Sequence, residues 1–120
     1  IWYINRKDLK MTLEELNGQA MEMIVHSGNG RNMLNQALDA LYDGDEETYE
    51  AKMTEAKKEM QTAHVAQTKA LQETITDPEA KPDILFTHAQ DTLMTVMSEI
   101  NTARHLAKIM KKLKEIANGK

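Results

Sequence analysis

The sequence predicts an all-α protein built as an antiparallel, up-down-up bundle of three helices. Long stretches carry apolar residues at helical spacing, none of them alternates as a strand does, and the chain breakers fall in two places. Both prolines, Pro78 and Pro82, lie in one short stretch, and Gly44 marks the other break. Short connections make neighbouring helices antiparallel, so helices at about 12–42, 46–75 and 84–117 would run up, down and up.

The first helix is predicted to begin with a capping box. Thr12 would be the N-cap and Glu15 would reach back to its backbone. The stretch Ser27-Gly28-Asn29-Gly30 interrupts the apolar pattern, which indicates either a kink or a close approach of another helix. From Arg31 onwards the helical spacing continues in the same register, so one bent helix is expected rather than two.

The second and third helices each carry an apolar stripe with three- and four-residue spacing. In the second, the spacing is typical of the seam of a left-handed bundle. Its members are Tyr49, Met53, Ala56, Met60, Ala63, Gln67 and Ala70. The stripe of the third helix comprises Leu85, Ala89, Val96, Ile100, Ala103, Leu106, Met110 and Leu113. Gly119 follows the third helix, as a helix stop should.

Length and composition limit the classes of function. At 120 residues the chain is predicted to form one domain over 12–118, with residues 1–11 as a flexible lead-in. A formal net charge of −4 and few aromatic residues argue against nucleic-acid binding. The absence of cysteine fits a reducing compartment, and no apolar run is long enough for direct membrane insertion.

Apolar residues beside the main stripe of the third helix exceed what a three-helix interior holds. They are Ile84, Leu93, Met94 and Met97. Spare apolar surface of this kind favours self-association.

The stretch His88-Ala89-Gln90-Asp91 carries the main functional hypothesis. His88 and Asp91 are three residues apart and therefore share a helix face near the start of the third helix. A histidine on such a face can carry a phosphoryl group, ligate a metal or act as a pH switch. The spacing alone leaves these roles, and a structural one, open. Zinc sites use three or four protein ligands, so this pair by itself is a poor zinc site.

The other three histidines are predicted to have no catalytic role. His26 borders the glycine pair and is interpreted as a partly buried structural residue. His64 lies beside the seam of the second helix, where a buried imidazole would need a hydrogen-bond partner across the bundle. His105 lies among cations on a late turn and is expected to be solvated.

Four patches of the sequence resemble the IIA component of lactose/cellobiose-type sugar phosphotransferase systems. The first is His88-Ala89-Gln90-Asp91 with Leu93-Met94-Thr95, similar to the phosphorylation-site motif of that family. The others agree in order and spacing: Ser27-Gly28 with Arg31, Gly44-Asp45, and Ala63-His64 with Gln67-Thr68-Lys69. Together they extend over about Leu13 to Leu113. The chain departs from the family at Thr92, where members commonly have a second histidine.

The resemblance implies a cytoplasmic phosphocarrier. His88 would accept a phosphoryl group from the histidine phosphocarrier protein and pass it to the IIB component, which phosphorylates the sugar during uptake through the membrane IIC component. Gln90 would support the phosphoryl group. The alternative is a helical adaptor or regulatory relative that trimerises without relaying phosphate.

The resemblance also implies a homotrimer with Asp91 at its threefold axis. Three carboxylates meeting there would repel one another, and magnesium or a similar divalent cation with oxygen ligands would compensate for that repulsion.

Overall fold

The computed structural model describes residues 11–77 and 83–119. The described residues form three α-helices, α1 (Leu13–Tyr42), α2 (Glu46–Thr76) and α3 (Ile84–Ala117), and contain no strand. The predicted fold class is confirmed, and each predicted boundary agrees to within one residue. The predicted lead-in, apart from Met11, lies outside the described residues, as do residues 78–82 of the second connection.

Each helix begins with a side chain that caps its free backbone N–H groups. Thr12 forms the predicted capping box, with its hydroxyl 3.1 Å from the backbone N of Glu15. Asp83 caps α3 by accepting from the backbone N–H of Phe86 at 2.8 Å. Asp45 caps α2 and accepts from both the N–H and the hydroxyl of Thr48, and these hydrogen bonds lower the pKa of the Asp45 carboxyl.

Helix α1 is the central helix of the bundle. It packs against both α2 and α3, whereas α2 and α3 touch each other little. Among the described residues, two hydrogen bonds join α2 to α3. They run from Gln67 to Gln90 at 3.0 Å and from the hydroxyl of Tyr49 to the carbonyl of Ala103 at 3.5 Å. Burial raises the pKa of Tyr49, so the phenol stays neutral and able to donate.

The core consists largely of small side chains. Among the described residues, nine of the eighteen buried hydrophobic side chains are alanines. Short side chains let helix axes approach towards the lower end of the usual range of about 8–10 Å. The larger members are Met23, Leu34, Tyr49, Met53, Met60, Phe86, Leu93, Val96 and Ile100.

The glycine pair of α1 marks a close approach of α2. The helix continues without a break through Gly28 and Gly30. A Cβ on Gly30 would lie 2.7 Å from the Met60 sulfur and 3.5 Å from the Ala56 carbonyl oxygen, whereas one on Gly28 would meet nothing within 4 Å. Of the two explanations that the sequence left open, close approach is the one that applies to Gly30.

Two ion pairs tie α1 to its neighbours. The Arg31 guanidinium donates two hydrogen bonds to the Glu99 carboxylate of α3, at 3.0 and 3.1 Å. The Nδ1 atom of His26 lies 2.6 Å from a carboxylate oxygen of Glu59 on α2. Both pairs are half-buried, and the bidentate geometry of Arg31 and Glu99 fixes the register of α3 against α1.

The predicted apolar stripe of α3 is wrong beyond Ala103. Leu106, Met110 and Leu113 are exposed, because the bundle no longer covers this part of α3. Leu93, which the sequence placed beside the stripe, is instead buried in the core at 4 % exposure. Leu13, the first residue of α1, is exposed.

Across residues 11–77 and 83–119, none of the helices combines the length and apolar character that a membrane crossing requires.

The two glycines of α1 should respond oppositely to substitution. Gly28→Ala should raise the free energy of unfolding by about 1 kcal/mol, because alanine is the better helix former and the site is open. Gly30→Val should lower it by about 1–3 kcal/mol, because the new side chain overlaps Met60. Urea unfolding measures both. Equal stabilisation by the two substitutions would contradict the close approach.

Candidate functional site

The stretch from His88 to Asp91 lies in the second turn of α3. Asp83 fixes the start of the helix, and His88 is its fifth residue. Ala89 is completely buried against the bundle and Leu93 nearly so. These inward contacts turn the remaining face of the helix outwards and thereby set the direction of the functional side chains.

His88 and Asp91 are both exposed and share one face of α3. Within the described part of the chain, neither side chain has a hydrogen-bond or ion-pair partner. The imidazole of His88 is therefore open to a partner protein, and the Asp91 carboxylate is free to bind a cation or a donor from another molecule.

The hydroxyl groups of two threonines next to this pair form hydrogen bonds with the backbone of α3. The Thr92 hydroxyl donates to the carbonyl of His88 at 2.8 Å, and the Thr95 hydroxyl donates to the carbonyl of Asp91 at 2.7 Å. Both hydroxyls thus satisfy backbone oxygens instead of contacting the His88 ring or the Asp91 carboxylate. Thr92, the position of the family's second histidine, supplies no ionisable group here.

Gln90 faces α2 rather than sharing the face of His88. Its carbonyl oxygen accepts from the side-chain amide of Gln67 at 3.0 Å, and Gln67 is only 8 % exposed. Residues two apart on a helix do not face each other, so the structure does not bring Gln90 and His88 of one chain together. It brings Gln90 and Gln67 together, a pairing that sequence reasoning missed. The sequence feature that could have indicated this contact is Gln67, an amide side chain in the apolar seam predicted for the second helix.

The other histidines lie away from this face. His26 is half-buried and paired with Glu59, which confirms its structural reading, and His105 is exposed, as expected. His64 was expected to hydrogen-bond across the bundle if buried. It is exposed instead, because it lies beside the seam of α2 and not in it.

Asp91 is the candidate metal ligand of this face. No group of three or more histidine, aspartate or glutamate side chains in residues 11–77 and 83–119 could hold a metal ion. Asp91 supplies a single exposed carboxylate, a ligand type that suits magnesium. Asp91 could supply one ligand of such a cation, and the remaining oxygen ligands would come from water or another molecule.

The family of the chain is decided by comparison with known proteins. Residues 18–111 match the family described as the lactose/cellobiose-specific IIA subunit of the phosphotransferase system (PTS). The chain belongs to this PTS IIA family. It is therefore a component of a phosphotransferase system, whose IIA proteins relay phosphate in sugar transport.

Individual relatives agree with this assignment over most of their length. The lichenan-specific IIA component of Bacillus subtilis is 31 % identical over 102 residues, which are 85 % of this chain and 93 % of the relative. The lactose-specific EIIA component of Lacticaseibacillus casei is 30 % identical, over 89 % of this chain and 96 % of the relative. The crystal structure of PtcA from S. mutans has a TM-score of 0.80 and 40 % identity, covering 84 % of this chain and 99 % of that one.

Most of the patches that carry the family resemblance make structural contacts. Arg31 pairs with Glu99, and Asp45 caps α2 directly after Gly44, whose φ of +79° suits glycine. Gln67 hydrogen-bonds to Gln90. These contacts help to set the positions of the three helices, whereas His88 and Asp91 on α3 are exposed and have no partner among the described residues.

The Gln67–Gln90 contact should be measurable as a coupling between α2 and α3. Gln67→Ala and Gln90→Ala should each destabilise the protein, and the double variant should lose about 1 kcal/mol less than the sum of the two, because the shared hydrogen bond is lost once. A double-mutant cycle by urea unfolding gives this value. Strict additivity would show that the two amides do not interact.

Proposed function

We propose that this PTS IIA protein is a cytoplasmic phosphocarrier in which His88 accepts a phosphoryl group from the histidine phosphocarrier protein and passes it to the IIB component. The observation that carries the proposal is the exposed His88, which has no hydrogen-bond or ion-pair partner among the described residues, in a chain that belongs to the PTS IIA family. The IIB component would then phosphorylate the sugar, so the IIA chain needs no sugar-binding pocket of its own.

The chemistry requires little from the bundle beyond a correctly presented imidazole. A lone pair on a neutral ring nitrogen of His88 attacks phosphorus, and the phosphorus–nitrogen bond of the donor breaks as the new one forms. The donor imidazole leaves with the electron pair of the broken bond. Phosphoryl transfer depends mainly on positioning and charge stabilisation, and the buried Ala89 and the capped start of α3 hold His88 in a fixed place.

The start of α3 carries fewer acidic residues than the starts of the other two helices. Of the three described helices, α3 alone has no acidic residue in its first turn. The N-cap carboxylate of Asp83 already offsets part of the positive end of the helix dipole, and the effect of the dipole fades towards the second turn, where His88 lies. Asp91 acts in the opposite sense, because its carboxylate one turn away would repel a phosphoryl group on His88.

A homotrimer is proposed because α3 exposes a second seam on its outer face. We call it the outer seam; its residues have the three- and four-residue spacing of helices that pair with copies of themselves. They are Ile84, His88, Asp91, Thr95, Ser98, Thr102, Leu106, Ile109, Leu113 and Ile116. All are exposed, and the last four form an apolar strip that other copies of α3 would cover.

Parallel α3 helices joined along the outer seam would bring three Asp91 carboxylates to the same level. Their mutual repulsion favours a shared divalent cation such as magnesium, for which Asp91 is the proposed ligand. When bound, such a cation neutralises the negative charge near His88. Gln90 is also proposed to support the phosphoryl group. Within one chain its side chain faces α2 and not His88, so the Gln90 that contacts the phosphoryl group would belong to a neighbouring copy.

The proposal predicts one acid-labile phosphoryl group per chain. Incubation with phosphoenolpyruvate, the first phosphotransferase enzyme and the histidine phosphocarrier protein should add one phosphoryl mass to the wild type and none to His88→Ala. The matched controls are His64→Ala and His105→Ala, two other exposed histidines, which should accept as the wild type does. Intact-protein mass spectrometry measures the addition.

Two outcomes would reject the proposal. If the wild type gains no phosphoryl group while a competent acceptor in the same mixture does, the chain is a helical adaptor or a relative that no longer relays phosphate. If His88→Ala is still phosphorylated and His64→Ala is not, the acceptor is a different histidine.

The proposed position of Asp91 on the threefold axis predicts how removal of its negative charge affects trimer assembly. Asp91→Leu should keep the trimer, or stabilise it without metal, because three repelling carboxylates are replaced by apolar side chains on the seam. Sedimentation with and without a chelator measures this. A variant that is monomeric at every concentration, beside a trimeric wild type, would argue against repulsion at the axis.

A further inference from the structure

A groove between α2 and α3 lies at the opposite end of the bundle from His88. Its volume is about 660 Å³, and it is lined by the N-terminal half of α2, the turn after α1 and the last turns of α3. Twenty residues of continuous helix separate His88 from Lys108 of the groove, a distance of roughly 30 Å. The groove is therefore distinct from the proposed phosphorylation site, and a molecule bound in it would leave His88 accessible.

The groove is basic although the chain as a whole is acidic. Its basic side chains are Lys57, Arg104, Lys108, Lys111 and Lys114. Two carboxylates, Glu46 and Glu50, line it as well, and Glu46 already lies 4.0 Å from Lys114. The net excess of three positive charges contrasts with the formal net charge of −4 for the chain. Such a local field attracts a negatively charged ligand.

The floor of the groove is apolar. Tyr49 and Met53 of α2 are almost fully buried at its base, and Ala107 and Met110 of α3 line its other side. Met110 is 41 % exposed, so apolar surface is left uncovered in the groove. A small inorganic anion would not cover this surface, whereas a ligand with both acidic and apolar groups would.

The dimensions of the groove match a short helix. The groove extends along α3 from Arg104 to Ala117, a rise of roughly 20 Å. A helix of about 14 residues has this length, and an amphipathic helix in a groove buries apolar residues spaced at i, i+3, i+4 and i+7. Acidic residues flanking that stripe would face the lysines on the groove's rim.

We propose that this groove docks an acidic amphipathic helix of a partner protein. The surface lies mostly apart from the outer seam of α3, because Ala107, Lys111 and Lys114 continue the three- and four-residue spacing of the buried Ala103. The groove and the outer seam share Leu113. Self-association through the outer seam would therefore cover Leu113 at the edge of the groove and leave its other lining residues on α3 accessible. Docking there would hold a partner on the IIA protein while His88 exchanges its phosphoryl group.

A synthetic peptide tests the proposal directly. The probe is a fluorescein-labelled helical peptide of about 14 residues, with leucine at i, i+3, i+4 and i+7 and glutamate at the flanking positions. Fluorescence anisotropy should show saturable binding to the wild-type protein that weakens with added salt. The same peptide with lysine in place of every glutamate should bind at least tenfold more weakly.

Paired variants of equal charge change locate the binding. Lys108→Glu with Lys111→Glu should weaken binding of the acidic peptide at least tenfold. Lys58→Glu with Lys112→Glu makes the same charge change at exposed lysines that do not line the groove, and should alter binding by less than about threefold. Circular dichroism checks that both proteins stay helical. All four lysines are exposed, so folding should not change.

Three results would overturn the proposal. The first is no binding of the acidic peptide to the wild type, and the second is an equal loss in both double variants, which would indicate general electrostatic attraction. The third is a change of oligomeric state when the peptide is added or the groove lysines are reversed, measured by sedimentation. That result would assign the groove to a second copy of the chain.

Discussion

The packing of α1 between its two neighbours is the constraint on which the rest of the structure depends. Helices α2 and α3 contact each other little, so each is held mainly by α1. The contact with α2 is close because Gly30 has no side chain where Met60 lies. The contact with α3 is fixed in register by the two hydrogen bonds from Arg31 to Glu99. A bundle built this way buries only the inner face of α3 and leaves its outer face free.

That free face gives α3 two different surfaces along its length. Near its start, the buried Ala89 and Leu93 hold His88 and Asp91 outwards, where another protein can reach them. Near its end, the bundle no longer covers the helix, and apolar and basic side chains become exposed together. The same 34-residue helix thus carries the proposed phosphoryl acceptor at one end and the proposed docking groove at the other.

Most of the fold could be predicted from the sequence because helix signals are local. The capping box at Thr12 and Glu15, the break at Gly44 and the stop before Gly119 act within a few residues of themselves, and each lies where it was predicted. Burial was predicted less well. The apolar period continues past Ala103 into Leu106 and Leu113, but periodicity cannot show where the neighbouring helices stop covering a stripe.

The sequence by itself determined three helices, their boundaries and the shared face of His88 and Asp91, since a spacing of three residues sets a common face on any helix. Only the tertiary structure decided which partner each polar side chain has. Gln90 contacts Gln67, His26 pairs with Glu59, and His64 stays exposed, because these outcomes depend on how the helices are rotated against one another. The groove likewise exists only in three dimensions, since its lysines come from two helices that are distant in the chain.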